Sequence, residues 1–335
     1  MLNLQPFNTI GKAIWDRRGL WSVLILIWVF DTWLNPHLAQ AEAVFMLIGI
    51  CLLVLPHGVP DLHLPAWILI PHWEKRPTYW ACILVVHLLG AMVMLGIWKL
   101  LPEFFLAFFT ALIIWHWGSM DTFFLFRLTR PSWLIGSIGR GMLVVLAPVF
   151  FQPLEVQDFV LNSFGLSHSN ILGALHAFAP HLLVVAIVLE LLALFVSRFI
   201  EGHRAPAALL GHLLESGALL LFFAWVSPVL GLTFYFLILH SARHLQRLTI
   251  FMPAKRGKVT KVVYPIRNLL DLFQKTKTLF FISMALIAFW FGRQLFQGSA
   301  FDEAVVSCLI PLGLFLVTHS LTTLLTDFNR GRFEE

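Results

Sequence analysis

Residues 171–197 contain a single charged side chain, Glu190. As a helix rising 1.5 Å per residue, that stretch is about 40 Å long, more than the roughly 30 Å of a bilayer's hydrocarbon core. Comparable apolar runs recur along the chain, near residues 20–36, 42–58, 78–99, 103–120, 132–151, 205–226, 228–248, 277–297 and 303–325. Only helices and closed barrels satisfy their own backbone in lipid, and barrel strands would alternate apolar with polar residues. These runs do not alternate. Over the 335 residues, 59% are hydrophobic and 12% charged, against about 25% charge in soluble proteins. A soluble globular enzyme is excluded.

The gaps between runs hold breakers or charges: Pro60, Pro65 and Pro71; Lys75, Arg76 and Pro77; Arg130 and Pro131. No internal repeat, low-complexity tract or lipidation motif is found. The expectation is an all-α, polytopic transmembrane helical bundle of about ten spans. It forms one domain over 20–325, with a cytoplasmic segment at 1–19, a polar connector near 249–276 and a tail at 326–335.

Basic residues fix the orientation. With the N-terminus cytoplasmic, every Lys and Arg among the 23 falls on the cytoplasmic side except Lys99, Arg140 and Arg293. This implies both termini inside and a multi-pass inner-membrane protein. The first run could instead be a cleaved signal peptide ending near Ala39-Gln40-Ala41, which would leave the remaining topology unchanged. The net charge of +5 is scattered at span ends rather than gathered in a patch, so it points to topology and away from nucleic acid. Cys51, Cys82 and Cys308 stand alone and form no metal or disulfide motif.

Fourteen histidines is a high number for so apolar a chain. His57, His116, His240, His244 and His319 all lie in runs expected to cross from outside to inside, about 17 to 24 Å of helix rise from their starts. They share one layer in the cytoplasmic half. An ionisable residue inside a membrane is a functional candidate by default, and neutral imidazole suits iron, copper, nickel or zinc.

His240 and His244 stand four apart, so one helix face can present both to one ion. Two satisfied histidines at a helix interface would give the same spacing. His57-Gly58-Val59-Pro60-Asp61 and His116-Trp117-Gly118-Ser119-Met120-Asp121 each place a histidine at a run's end, then glycine, then aspartate. Metal-bound histidine usually donates its other ring N–H to a carboxylate, a role open to Asp61 and Asp121. Each Asp could equally cap a helix or pair with an Arg. His319 and His63 are auxiliary positions without a paired motif. Glu215 stands three residues from His212, close enough for a buried hydrogen bond, and is read as structural.

The three segments around His57, His116 and His240-Ser241-Ala242-Arg243-His244 resemble the signature of the Brp/Blh family, bacterial and archaeal membrane β-carotene 15,15'-dioxygenases. The resemblance implies one non-haem Fe(II) held by His57, His116, His240 and His244, with no catalytic residue assigned beyond the ligands. It further implies β-carotene and dioxygen as substrates and two retinal molecules as product. A functional link to a retinal-binding rhodopsin follows from that product. The segment before about residue 40 and the connector after His244 have no counterpart in the resemblance.

Physical chemistry agrees with such a substrate. A C40 hydrocarbon dissolves in the bilayer, and its enzyme needs an apolar, aromatic-lined cleft open to lipid. The 32 Phe and 13 Trp can supply those walls. Competing readings are a dioxygenase acting on another carotenoid or apocarotenoid, a two-iron desaturase, a transporter relaying protons through buried His and Glu, and a haem protein. The two-iron reading wants about eight clustered histidines, and this chain offers one HxxxH.

Overall fold

The computed structural model describes residues 38–51, 58–68, 73–123, 125–126, 130–164, 166–202, 206–251 and 265–329. Among these residues the secondary structure is helical and no strand occurs. In chain order the helices are α1 (Leu38–Gly49), α2 (Leu64–Ile68), α3 (Pro77–Leu100), α4 (Pro102–Thr122), α5 (Pro131–Phe151), α6 (Pro153–Phe164), α7 (Asn170–Phe195), α8 (Pro206–Trp225), α9 (Pro228–Phe234), α10 (Ser241–Phe251), α11 (Pro265–Phe296), α12 (Phe301–Ser307) and α13 (Leu309–Asn329). Short 3₁₀ turns cover Val59–His63 and Trp73–Lys75, and π-helical turns cover Val196–Ile200 and Tyr235–His240.

Proline opens several helices, including α3, α4 and α5, where its fixed φ suits the first turn and its missing N–H costs nothing. Five helical stretches are long and apolar enough to cross a membrane: Pro77–Leu100, Pro102–Thr122, Pro131–Phe151, Asn170–Ile200 and Leu270–Phe296. All five coincide with runs read from the sequence. Leu209–Trp225 is apolar but shorter. The run at 228–248 is divided by the π-helical turn into α9 and α10. Polar residues explain the division, because α10 buries Ser241, Arg243, His244 and Arg247 where a lipid-facing helix would carry apolar side chains. The run at 303–325 is likewise divided, at Cys308, into α12 and α13. The run at 20–36 lies outside the described residues.

The chain gathers into two compact units. The first comprises the described residues within Pro36–Val93 and Thr233–Glu335, and the second those within Met94–Leu232.

In the second unit α5 is the central helix, with Leu143, Val144, Leu146 and Ala147 at most 1% exposed. Its glycines let neighbouring backbones close on it. A Cβ on Gly141 would stand 1.8 Å from the carbonyl oxygen of Ile114 on α4, and one on Gly118 would stand 1.7 Å from that of Ser137 on α5. On the other side, a Cβ on Gly139 would meet the Glu190 backbone of α7 at 2.9 Å. Small residues at such crossings supply the dispersion contact that holds helices together in lipid, where apolar burial gives little drive.

In the first unit the Tyr79 hydroxyl of α3 donates to the Leu62 carbonyl and ties down the Val59–His63 turn. Gly90 of α3 faces Thr318 of α13, whose Cγ2 a glycine Cβ would meet at 2.6 Å. Arg247 of α10, 1% exposed, reaches α13 twice, donating to the Thr323 carbonyl at 3.1 Å and pairing with Asp327 at 2.6 Å. These contacts fix α10 and α13 in register, one turn beyond His244 on α10 and one and two turns beyond His319 on α13.

Candidate metal centre

In the first unit, Asp61, His244 and His319 each offer a ligand atom, and the three atoms lie within 4.8 Å of one another. Three different elements supply them. Asp61 sits on the Val59–His63 turn, opened by Pro60; His244 on α10; His319 on α13. Asp61 and His244 are at most 1% exposed and His319 is 9% exposed.

The carboxylate is shared between the two imidazoles. His244 Nε2 lies 3.2 Å from Asp61 Oδ1, and His319 Nδ1 forms an ion-pair contact with Asp61 Oδ2. Burial alone would push the Asp61 carboxyl up, but His319 and His244 outweigh it and hold the group well below the ordinary carboxylate range. The rings of His244 and His319 are 5.1 Å apart and nearly perpendicular, at 73°.

His240 joins this cluster. Its ring stacks parallel to that of His244, centroids 6.2 Å apart with 7° between planes, and its ligand atom lies within 4.8 Å of that of His319. Phe236, one turn earlier in the chain, stacks on His240 at 5.3 Å. The π-helical turn ends at His240, where the Ser241 hydroxyl donates to the Phe236 carbonyl at 2.8 Å and absorbs the extra residue. Such turns, inserted into α-helices, are frequent at functional sites because they re-aim side chains.

Two imidazoles and a carboxylate are the donor composition used by non-haem Fe(II) oxygenases, and three imidazoles with a carboxylate suit a divalent transition metal. The residues present therefore fit a metal of this kind. The set adds negative charge that four neutral histidines would lack.

The second unit carries His116, fully buried near the C-terminal end of α4. Five residues on, Asp121 Oδ2 accepts from Arg140 Nε at 2.8 Å. Arg140 is wholly enclosed; it donates to Ser216 at 2.8 Å, pairs with Glu215 and stands 3.9 Å from Glu190. Ser216 in turn donates to Glu190 at 2.5 Å, and His212 Nε2 lies 3.7 Å from Glu190. Three carboxylates thus surround one guanidinium, joining α4, α5, α7 and α8.

The sequence of this chain matches the family described as Beta-carotene 15,15'-dioxygenase over residues 44–323. The chain belongs to that family. No curated protein and no solved structure matches it with significance. For a member of this dioxygenase family, the buried carboxylate–imidazole cluster is a feature able to hold a metal.

Of the residues singled out from sequence, the structure brings together Asp61, His240, His244 and His319. His57 lies outside the described residues. His116 and Asp121 stand in the second unit, with Asp121 engaged by Arg140. His63 packs among aromatics, stacked on Trp67 at 5.3 Å and edge-on to Trp80 at 4.8 Å. Burial lowers its pKa to about 4 against the pull of Glu74, with Lys275 adding to the decrease, so it is neutral at ordinary pH. The place of Glu215 beside Arg140, and of His212 beside Glu190, was not in the spacing of His212 and Glu215. An arginine inside an apolar run, with two intramembrane glutamates elsewhere, was the available signal that a buried ion-pair network exists.

Proposed function

We propose that this chain splits the central 15,15' double bond of β-carotene with dioxygen to give two molecules of all-trans-retinal. The family match over residues 44–323 carries this reading, and the buried cluster of Asp61, His244 and His319 supports a metal-dependent reaction. In the overall change one carbon–carbon double bond breaks and two aldehydes form. Each product takes one oxygen atom of O₂, so no further reductant is consumed.

The metal in this reading is Fe(II), held by His57, His116, His240 and His244, as the family resemblance implies. Asp61 and Asp121 orient ligands through hydrogen bonds, while His319 and His63 are auxiliary. When bound, the iron activates dioxygen toward an alkene that does not react with it unaided. The protein's part is to position the polyene, keep the imidazoles neutral and unprotonated toward the metal, and exclude water. Asp61 orients the rings by accepting from ring N–H groups. No separate general acid or base is needed.

The apolar helices are read as a bundle of about ten spans in the cell inner membrane, both termini cytoplasmic and the metal toward the cytoplasmic side. Residues 20–325 act as one transmembrane domain, with the connector near 249–276 and both tails in the cytoplasm. β-Carotene then enters from the bilayer rather than from water, and retinal leaves into the compartment where a retinal-binding rhodopsin would take it up. Purified protein supplied with Fe(II), O₂ and β-carotene in detergent tests the regiochemistry. Two retinals per carotene consumed supports central cleavage; paired apocarotenoids of unequal length assign the enzyme to another bond or another carotenoid.

A further inference from the structure

His319 belongs to no motif, yet it is held more firmly than its isolated place in the sequence suggests. Arg247 fixes α13 to α10 through Thr323 and Asp327. The Thr322 hydroxyl donates to the His319 carbonyl at 2.7 Å, and Thr318 is pressed against Gly90 of α3. The ring is thereby delivered to Asp61 with its Nδ1 against Oδ2.

An imidazole that donates Nδ1–H to a carboxylate carries its lone pair on Nε2 and becomes more basic there, which is how metal-bound histidines are commonly prepared. The same carboxylate meets His244 through the other nitrogen, Nε2, at 3.2 Å. One aspartate therefore contacts both rings, through Nδ1 of His319 and Nε2 of His244. His319 also offers a ligand atom within 4.8 Å of one on His240.

We infer that His319 is a direct ligand of the iron, with Asp61 as the carboxylate that holds both its ring and that of His244. This rests on the iron-centre reading above and adds to it.

The test uses the full-length protein in lipid nanodiscs with Co(II) in place of iron as an optical and magnetic probe. Wild type, His319→Gln and His87→Gln are titrated with Co(II), and their visible bands are compared. His87 is buried on α3 with its ring against the Ile83 carbonyl, outside the cluster, and controls for loss of any histidine. Direct ligation predicts an altered band and at least about tenfold weaker binding for His319→Gln, with wild-type behaviour for His87→Gln.

A His319→Gly variant guards against misfolding: added imidazole restores the wild-type band if the lost group was a ligand. Unchanged band and affinity in His319→Gln would overturn the inference while leaving the iron reading standing. Absence of Co(II) and Fe(II) binding by the wild type would overturn the iron reading itself.

Discussion

His244 Nε2 and Asp61 Oδ1 lie 3.2 Å apart although 183 positions separate them in the chain. The contact unites the two motif segments that the first unit contributes, the Gly58–Asp61 turn and the His240–His244 helix face. Asp61 stands at the junction of both imidazoles, so its loss should be felt at the metal before it is felt in the fold.

Asp61→Asn keeps the shape but removes the charge and half of the acceptor capacity facing two ring N–H groups. Iron affinity should fall by about 10- to 100-fold, with helix content unchanged. Metal analysis after dialysis against a weak chelator, alongside circular dichroism, measures both. Full iron retention in the variant would remove Asp61 from any role at the centre.

The Arg140 network should matter to stability. Arg140→Met would leave Asp121, Glu190 and Glu215 buried without their cation, and stranding buried charge of this kind costs about 3–5 kcal/mol. Thermal unfolding in detergent should show a large loss for Arg140→Met. Adding Asp121→Asn and Glu215→Gln to the same chain should recover part of it, since the stranded charges are then gone. An Arg140→Met variant as stable as wild type would show the network to be dispensable.

Backbone crossings in the second unit make a sharper prediction about glycine. Gly118→Ala and Gly141→Ala each place a methyl group within 2 Å of a carbonyl oxygen on the facing helix, so α4 and α5 must separate. Overpacking of this sort costs about 1–3 kcal/mol. A methyl group on Gly96 or Gly173 would meet nothing within 4 Å, and the alanine variants there should stay within about 1 kcal/mol of wild type. Comparing the four melting temperatures separates close approach from a general intolerance of change.

Much of the fold was legible in the sequence because apolar length and histidine position are local properties. The five long spans coincide with runs visible by inspection, and His240 with His244 share a face as four-residue spacing requires. What spacing does not carry is the choice of partner across the fold. His319 shows the right depth but no motif, and only the approach of α13 to the Val59–His63 turn reveals its contact with Asp61. Arg140 reads in the sequence as an exception to the charge bias; packing turns it into the hub of three carboxylates. The division of the run at 228–248 was hidden for a similar reason. Its apolar first half looks like any span, whereas the π-helical turn and the buried polar face of α10 answer to the buried histidine–aspartate cluster rather than to lipid.

Whether the histidine cluster serves oxidative cleavage of β-carotene at its midpoint is tested most directly by retinal content. Chromatography would measure it in bacteria accumulating β-carotene and expressing either the wild type or His240→Ala at matched protein levels. Retinal and loss of carotenoid colour are predicted with the wild type, and neither with His240→Ala. Retinal at equal levels in both strains would contradict the role of the cluster, and a folded, iron-loaded wild type that leaves β-carotene intact would contradict the activity itself.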